Sequence, residues 1–201
     1  VVSKINSWVL KVPPLYSSAE QLYLLQLARN SIKHGLEHNE ALTPCAADFD
    51  DHLKENAAAF VTLEKQGELR GCIGSVEAYR PLIEDVAEHA WNAAFRDPRF
   101  SPVSNSEFSQ LHIEISVLTA PQTISFKSEK DFRAQIVPRK DGLILQDGHR
   151  RSLFLPAVWE KLPDLNSFLS HLKQKAGLPE NHWSGTIQFK RFYSFEFSES
   201  V

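Results

Sequence analysis

The sequence predicts an α+β fold in which helices flank a mainly antiparallel sheet. Three strand signals support this class, and they lie at residues 59–74, 111–118 and 142–155. Stretches with helical spacing of apolar residues separate them, and short polar turns divide the first and third signals into hairpins. We expect a single domain over residues 17–201, preceded by an irregular lead-in at residues 1–16.

The composition describes a globular protein with no strong electrostatic preference for a partner. The chain has 201 residues, of which 42% are hydrophobic and 23% are charged, and its net charge is −3. This balance gives no support for nucleic-acid or anionic-membrane binding, and no apolar run approaches the roughly 20 residues of a membrane helix. The two cysteines, Cys45 and Cys72, form no disulfide framework, so we expect reduced thiols and a cytoplasmic location.

End signals predict the first two helices. Ser17 is an N-cap with Glu20 three residues later, which is a capping box, and apolar residues at helical spacing extend this helix to about His38. Pro81 favours the first position of a second helix, because its missing N–H has no partner to lose there. Pro98 ends that helix, since the residue before a proline avoids the helical conformation.

The second strand of the first hairpin carries the most informative stretch, Leu69–Gly74. Alternation along a strand places Arg70, Cys72 and Gly74 on one face. Glycine forms strands poorly, so Gly71 and Gly74 indicate a bulge, a bend, or the close approach of another backbone or of a ligand.

The strand at residues 111–118 has the clearest alternation in the chain, with His112 and Glu114 on its polar face. The later elements each have a local signal of their own. They are a short helix at 129–136, a hairpin that turns at Asp147-Gly148, a helix closed by Gly177, and a final strand at 186–197.

The stretch Leu69–Gly74, with the sequence Leu-Arg-Gly-Cys-Ile-Gly, resembles the signature hexapeptide of the AMMECR-type domain family, also called protein A of the AmmeMemoRadiSam system. Further blocks follow in the family's order, and the resemblance extends over about residues 18–197. These blocks are Asp97-Pro98-Arg99-Phe100, then residues 113–118, 142–159 and 189–197.

The resemblance implies an α+β fold with a main antiparallel lobe and a smaller lobe, and it implies no established reaction. Prokaryotic members are associated with, or fused to, a Memo-type protein that resembles extradiol dioxygenases, and they are associated with a radical SAM protein. We therefore expect a ligand-binding or partner-binding component of that pathway. His112 is not part of the family pattern.

A binding site is predicted around the signature strand, with Arg70, Gly71, Gly74 and Arg99 as ligand-binding residues. Arginine offers a planar fork that suits carboxylate or phosphate, and the glycines leave room beside the strand. Arg99 has the alternative of pairing with Asp97 within its own turn. The arginines at 150 and 151 are weaker candidates, because they also suit a solvated hairpin end.

An enzyme is the alternative, with Cys72 as nucleophile and Glu114 as its tentative catalytic partner. Arg70 on the same strand face favours the thiolate, and a nearby 111–118 strand would bring Glu114 and His112 towards the thiol as bases. The competing interpretation is a buried, structural Cys72, since a free cysteine usually behaves as a small hydrophobic residue.

Metal ligands are sparse in this sequence. His34 and His38 lie four residues apart on the first helix, so both could face one ion, but the residues between them lack the glutamate of a zincin motif. Cys45 and Cys72 have no paired cysteine or histidine at zinc-ligand spacing. We expect no stoichiometric transition metal and no bound cofactor.

Overall fold

A computed structural model describes residues 15–45, 47 and 49–200. In this part of the chain, five α-helices and two four-stranded antiparallel sheets confirm the α+β class. The elements are α1 (Ser18–His38), β1 (Ala58–Lys65), β2 (Glu68–Gly74), α2 (Leu82–Phe95), α3 (Asn105–Phe108), β3 (Leu111–Leu118), β4 (Gln122–Thr123), α4 (Glu129–Gln135), β5 (Gly142–Asp147), β6 (Arg150–Phe154), α5 (Leu165–Lys175), β7 (Gln188–Phe192) and β8 (Ser194–Ser198), with 3₁₀ turns at Asp51–Lys54 and Pro156–Glu160.

The predicted helix ends are close to those observed. Ser17 and Glu20 form the capping box of α1, whose last residue is His38. Pro81 is the N-cap of α2 and so lies one position before the helix that it was expected to begin. Gly177 follows α5 with a left-handed φ of 72°, the conformation expected of a glycine that closes a helix.

The large lobe is built on the sheet β2-β1-β3-β8, with α1 and α2 packed on one side. We call that side of the sheet the inner face and the opposite side the open face. Strand alternation sends Val61, Leu63, Ile113 and Ile115 to the inner face, where all four are fully buried. Removal of these apolar side chains from water is the main stabilisation of this lobe.

The small lobe is built on the sheet β4-β7-β5-β6 and is inserted between β3 and β8, which are neighbours in the first sheet. Helices α4 and α5 cover one side of this second sheet. The core there is aromatic: the rings of Trp159 and Phe168 stack 3.8 Å apart, and those of Phe132 and Phe189 stack 4.0 Å apart.

The final strand predicted at 186–197 is extended as expected, but it is two strands, β7 and β8, because the chain changes sheets at Tyr193. The Thr119 N–H donates to the Tyr193 carbonyl, and the Tyr193 N–H donates to Thr119 Oγ1, both at 2.9 Å. Phe189 faces the small-lobe core, whereas Phe192 faces the large lobe. Their spacing of three is odd, so regular alternation along β7 places these two rings on opposite faces of the second sheet.

The two lobes meet where the other side of the second sheet packs on part of the open face. Phe60 and Leu118 of the large lobe contact Ile144 and Phe192 of the small lobe in one apolar cluster. The rest of the open face, which includes Cys72, is not covered by this cluster.

The predicted lead-in falls largely outside the described residues, which begin at Leu15. Tyr16 is 5% exposed in the core of the large lobe, and its ring stacks on His52 with centroids 4.9 Å apart. Burial, with the nearby Glu20 and Glu55 carboxylates, raises the pKa of Tyr16 to about 12. Among the described helices, none is both long enough and apolar enough to cross a membrane.

Gly71 is required because α2 packs directly against β2. A Cβ atom at this position would lie 2.2 Å from the carbonyl oxygen of Ala93. At Gly74, a Cβ atom would lie 2.3 Å from the ring of Phe60 and 2.5 Å from the carbonyl oxygen of Ala59. Of the reasons that the sequence left open, the structure provides the close approach of protein atoms at both glycines, and it also places a register shift of β2 against β1 directly before Gly71.

Gly71→Ala should destabilise the fold, because the added methyl group forces α2 away from β2. We expect a loss of roughly 1–3 kcal/mol in the free energy of unfolding, measured by urea denaturation with an unchanged m-value. Gly185→Ala is the control, since a Cβ atom there meets no atom within 4 Å. Equal stability of the Gly71→Ala variant and the wild type would contradict this packing role.

Candidate functional site

The open edge of β2 is closed by the turn that follows α2. The Cys72 N–H donates to Asp97 Oδ2 at 2.9 Å, and Arg99 Nη2 donates to the Cys72 carbonyl at 3.2 Å. The backbone N–H and carbonyl of Cys72 therefore both point away from β1. Cys72 and Thr62 are thus a non-hydrogen-bonded pair, in which the side chains are closely spaced.

Asp97 is the centre of this closure, and its side chain is 1% exposed. Its carboxylate accepts from Arg99 Nε at 2.9 Å and from Arg99 Nη2 at 2.6 Å, which confirms the pairing within the turn. Hydrogen bonds from Arg99, helped by the Cys72 N–H, hold the pKa of Asp97 well below its ordinary value. The Arg99 side chain is still 52% exposed, so much of its surface faces solvent.

Arg70 is bound to α3 and the turn before it. Its guanidinium donates to both Glu107 carboxylate oxygens at 3.2 and 3.3 Å and to the Ser101 carbonyl at 2.9 Å. Hydrogen bonds from Arg70 and then from Lys65 lower the pKa of Glu107. No hydrogen bond joins Arg70 to the Cys72 sulfur, so the predicted thiolate partner is engaged elsewhere.

The Cys72 side chain is half-buried on the open face, rather than enclosed in the core. Its sulfur accepts a hydrogen bond from Thr62 Oγ1 at 3.3 Å. Thr62 is paired in turn with Glu114 on β3, so the three residues form one row across three strands, which we call the Cys72 row. Because β1 separates β2 from β3, the backbones of Cys72 and Glu114 lie roughly 10 Å apart.

His112 lies outside this row. It pairs with Glu64 on β1, and its Nε2 is 2.8 Å from the Glu199 carbonyl oxygen. The structure therefore does not bring His112 to the thiol, although the alternation predicted correctly that it shares the polar face with Glu114.

Glu114 is half-buried at the third position of the Cys72 row. Burial raises its pKa, and the nearby carboxylates of Glu196 and Glu64 raise it further. Its carboxyl group therefore keeps a proton to higher pH than an exposed glutamate does, and in that form it can donate a hydrogen bond.

A cavity of about 700 Å³ lies where β7 passes into β8, beside the Pro156–Glu160 turn. We call it the junction cleft. Glu160 and Glu196 line it, and both act on the pKa of Glu114. Arg139 and Lys140 supply positive charge to the same cavity. No sequence signal indicated these four residues, because the small lobe and the strand crossing bring them together.

The remaining sequence candidates lie apart from the Cys72 row. Arg150 donates to the Gly177 carbonyl, and Arg151 pairs with Glu77. The rings of His34 and His38 contact each other with centroids 4.3 Å apart on α1. Within residues 15–45, 47 and 49–200, no cluster of three His, Cys, Asp or Glu side chains could hold a metal ion.

Asp97→Asn should destabilise the fold at neutral pH by about 2 kcal/mol, because hydrogen bonds to an ionised, buried carboxylate are lost. Arg99 depresses the pKa of Asp97 in the folded state, so this contribution is complete above the unfolded-state value near 4 and declines at lower pH. The difference from wild type in urea denaturation should therefore narrow on acidification.

Asp50→Asn is the control for this measurement, since Asp50 is exposed and makes no capping hydrogen bond. A stability difference for Asp97→Asn that is unchanged between neutral and strongly acidic pH would contradict the assigned ionisation.

Comparison with known proteins places these features in a family. Residues 25–197 match the family model described as AMMECR1. A protein of Methanothermobacter thermautotrophicus is 40% identical over 171 residues, which cover 85% of this chain and 88% of that protein. Protein MK0488 of Methanopyrus kandleri is 38% identical over 169 residues, which cover 80% and 79% of the two chains.

A solved structure shares the same fold. The crystal structure of the uncharacterized protein PH0010 from Pyrococcus horikoshii is similar with a TM-score of 0.77 and 34% sequence identity, covering 89% of this chain and 91% of that one. The family match begins within α1 and ends within β8, so it includes both lobes, the Cys72 row and the Asp97 turn. The chain therefore belongs to the AMMECR1 family.

Proposed function

We propose that this chain is the small-molecule-binding component of an AmmeMemoRadiSam-type pathway. In this proposal it acts in the cytoplasm beside a Memo-type protein and a radical SAM protein. The resemblance in the signature stretch supports the pathway, since prokaryotic members of the family are associated with these two proteins. In this proposal the ligand binds on the open face, at the Cys72 row and in the junction cleft, whose Glu160 and Glu196 act on the pKa of Glu114.

The half-buried position of Glu114 and its raised pKa are the observation that supports this proposal. A glutamate with a raised pKa on a half-buried polar surface is unusual, and such groups occur preferentially at functional sites. It shares a row with the thiol of Cys72 and the hydroxyl of Thr62, so three small polar groups face one side. The junction cleft, about 700 Å³, has the volume of a typical small-molecule site.

The signature residues have different roles in this proposal. Arg99 is available to a ligand, because its side chain is 52% exposed although it also binds Asp97. The Arg70 side chain is 11% exposed and is held by Glu107 and the Ser101 carbonyl, so in this proposal it positions β2 and does not contact the ligand. Gly71 and Gly74 allow the close packing that holds β2 in place.

Native mass spectrometry of the full chain, purified from cells that co-express a Memo-type and a radical SAM protein, tests this function. We expect a non-covalent adduct with the mass of a small molecule, which is absent when the chain is expressed alone because the pathway supplies the ligand. Glu114→Ala should lower the bound fraction roughly tenfold, since it removes one buried hydrogen-bonding group.

Glu68→Ala is the matched control, because Glu68 is an exposed carboxylate in the same sheet, on the β1–β2 hairpin and outside the Cys72 row. An adduct retained equally by the Glu114→Ala variant would place the ligand elsewhere. The absence of any adduct on co-expression would overturn the proposed function.

The second candidate function is an enzyme with Cys72 as nucleophile. The row that joins Cys72 to a glutamate with a raised pKa favours it. Against it, the hydrogen-bonding partner of the sulfur is the Thr62 hydroxyl, and β1 separates the sulfur from Glu114, whereas an activated nucleophile needs a base within hydrogen-bonding reach.

Alkylation by iodoacetamide at neutral pH separates the two functions. We expect Cys72 to react more slowly than Cys45, because Cys45 is exposed and Cys72 is half-buried beneath its contact with Thr62. Rates from Cys45→Ser and Cys72→Ser variants, followed by mass spectrometry, measure each thiol alone. Faster modification of Cys72 than of Cys45 in the folded protein would favour the enzyme over the binding component.

A further inference from the structure

A second cavity, of about 450 Å³, lies between the lobes beyond the ends of β1 and β3. Its floor is apolar and consists of Ala58 and Leu118 of the large lobe with Ile144 and Phe192 of the small lobe. It shares no lining residue with the junction cleft. We call it the latch cleft, after an ion pair that connects the two lobes at its edge.

That ion pair joins Arg151 on β6 to Glu77 in the loop before α2, and both residues line the latch cleft. Their side chains are 45% and 62% exposed. Exposed pairs of this kind contribute little to stability, because water screens both charges. A competing anion of suitable shape can therefore take the place of Glu77 on Arg151.

A second cation, Lys190, lines the same cavity from β7. Among the described residues, no carboxylate lies within ion-pair distance of its ammonium group, and its side chain makes no hydrogen bond. Lys190 is paired with Ile144 across β5 and β7, and alternation places Phe192 on the same face. An unpaired positive charge thus stands beside the apolar floor.

Alternation along β6 separates the two neighbouring arginines of this strand. Arg151 points to the large lobe, whereas Arg150 points to the other side, where it donates to the Gly177 carbonyl. Ser152 confirms this division, since its hydroxyl donates to the Leu172 carbonyl of α5 at 2.6 Å. Arg150 is therefore outside the cleft and supplies a matched control.

We propose that the latch cleft binds a small amphipathic monocarboxylate. The carboxylate accepts hydrogen bonds from Arg151 in place of Glu77 and is paired with Lys190, while the apolar body lies on the floor formed by Ile144 and Phe192. Arginine suits this exchange because its fork binds a carboxylate through two hydrogen bonds. Glu55 of the large lobe also lines the cleft, and its carboxylate repels a ligand carboxylate placed beside it. This site is independent of the Cys72 row.

The test uses hydrocinnamate as the probe and its uncharged amide, hydrocinnamamide, as the matched comparison. Titration of the full, ¹⁵N-labelled chain should give saturable amide shifts along β6 and β7. We expect hydrocinnamamide to bind roughly fivefold more weakly, and Arg151→Gln or Lys190→Gln to weaken hydrocinnamate binding by a similar factor. Glu77→Gln should tighten it severalfold, since the competing carboxylate is removed.

Arg150→Gln should leave hydrocinnamate binding unchanged, and melting curves check that all variants are folded. Equal binding of the acid and the amide would show an apolar groove without a carboxylate site. Shifts confined to other surfaces, or no saturable binding of hydrocinnamate, would overturn the proposal. Weaker binding by Glu77→Gln would also overturn it, because the exchange requires Glu77 to compete with the ligand.

Discussion

The hydrogen bond between the Asp97 carboxylate and the backbone of the edge strand β2 determines the position of this strand, and with it the shape of the open face. An edge strand exposes unpaired N–H and C=O groups, which attract other strands unless they are covered. Asp97 and Arg99 cover those of Cys72, while the absence of a side chain at Gly71 lets α2 press on the same strand from the inner face. The orientation of the thiol towards Thr62 thus follows from contacts made by its backbone, and the residues that make them do not bind the sulfur.

The second determinant is the insertion of the small lobe between β3 and β8. The second sheet packs face to face on part of the first, so apolar open-face residues such as Ala58 and Leu118 are buried while the polar Cys72 row is left half-exposed. A partial cover of this kind produces clefts at its margins. The junction cleft lies at one margin, where Glu160 and Glu196 help to raise the pKa of Glu114, and the latch cleft lies at another.

Sequence reasoning succeeds here where the cause of a structure is local. Ser17 specifies the start of α1 through its own hydrogen bond, and the alternation at 111–118 predicts which face each side chain takes, because the pleat fixes it. It fails where two distant segments must meet. Tyr193 changes sheets because Thr119 satisfies its backbone, and nothing within five residues of Tyr193 reveals that partner. Lys190 becomes part of a cleft for the same reason, since part of the cleft lining, with Ala58 and Glu77, comes from the other lobe.

The position of the small lobe between two paired strands also has a consequence for the order of folding. Leu118 and Ser194 are partners across β3 and β8, although a whole lobe of chain separates them. While that chain is unfolded, their pairing closes a long loop, and the resulting loss of conformational entropy opposes it. Once the small lobe has folded, its two ends lie side by side at Thr119 and Tyr193, and the loop is effectively short. The first sheet should therefore gain its last strand, β8, only after the small lobe has formed. Folding of the small lobe, which borders both clefts, is thus what allows the sheet of the large lobe to be completed.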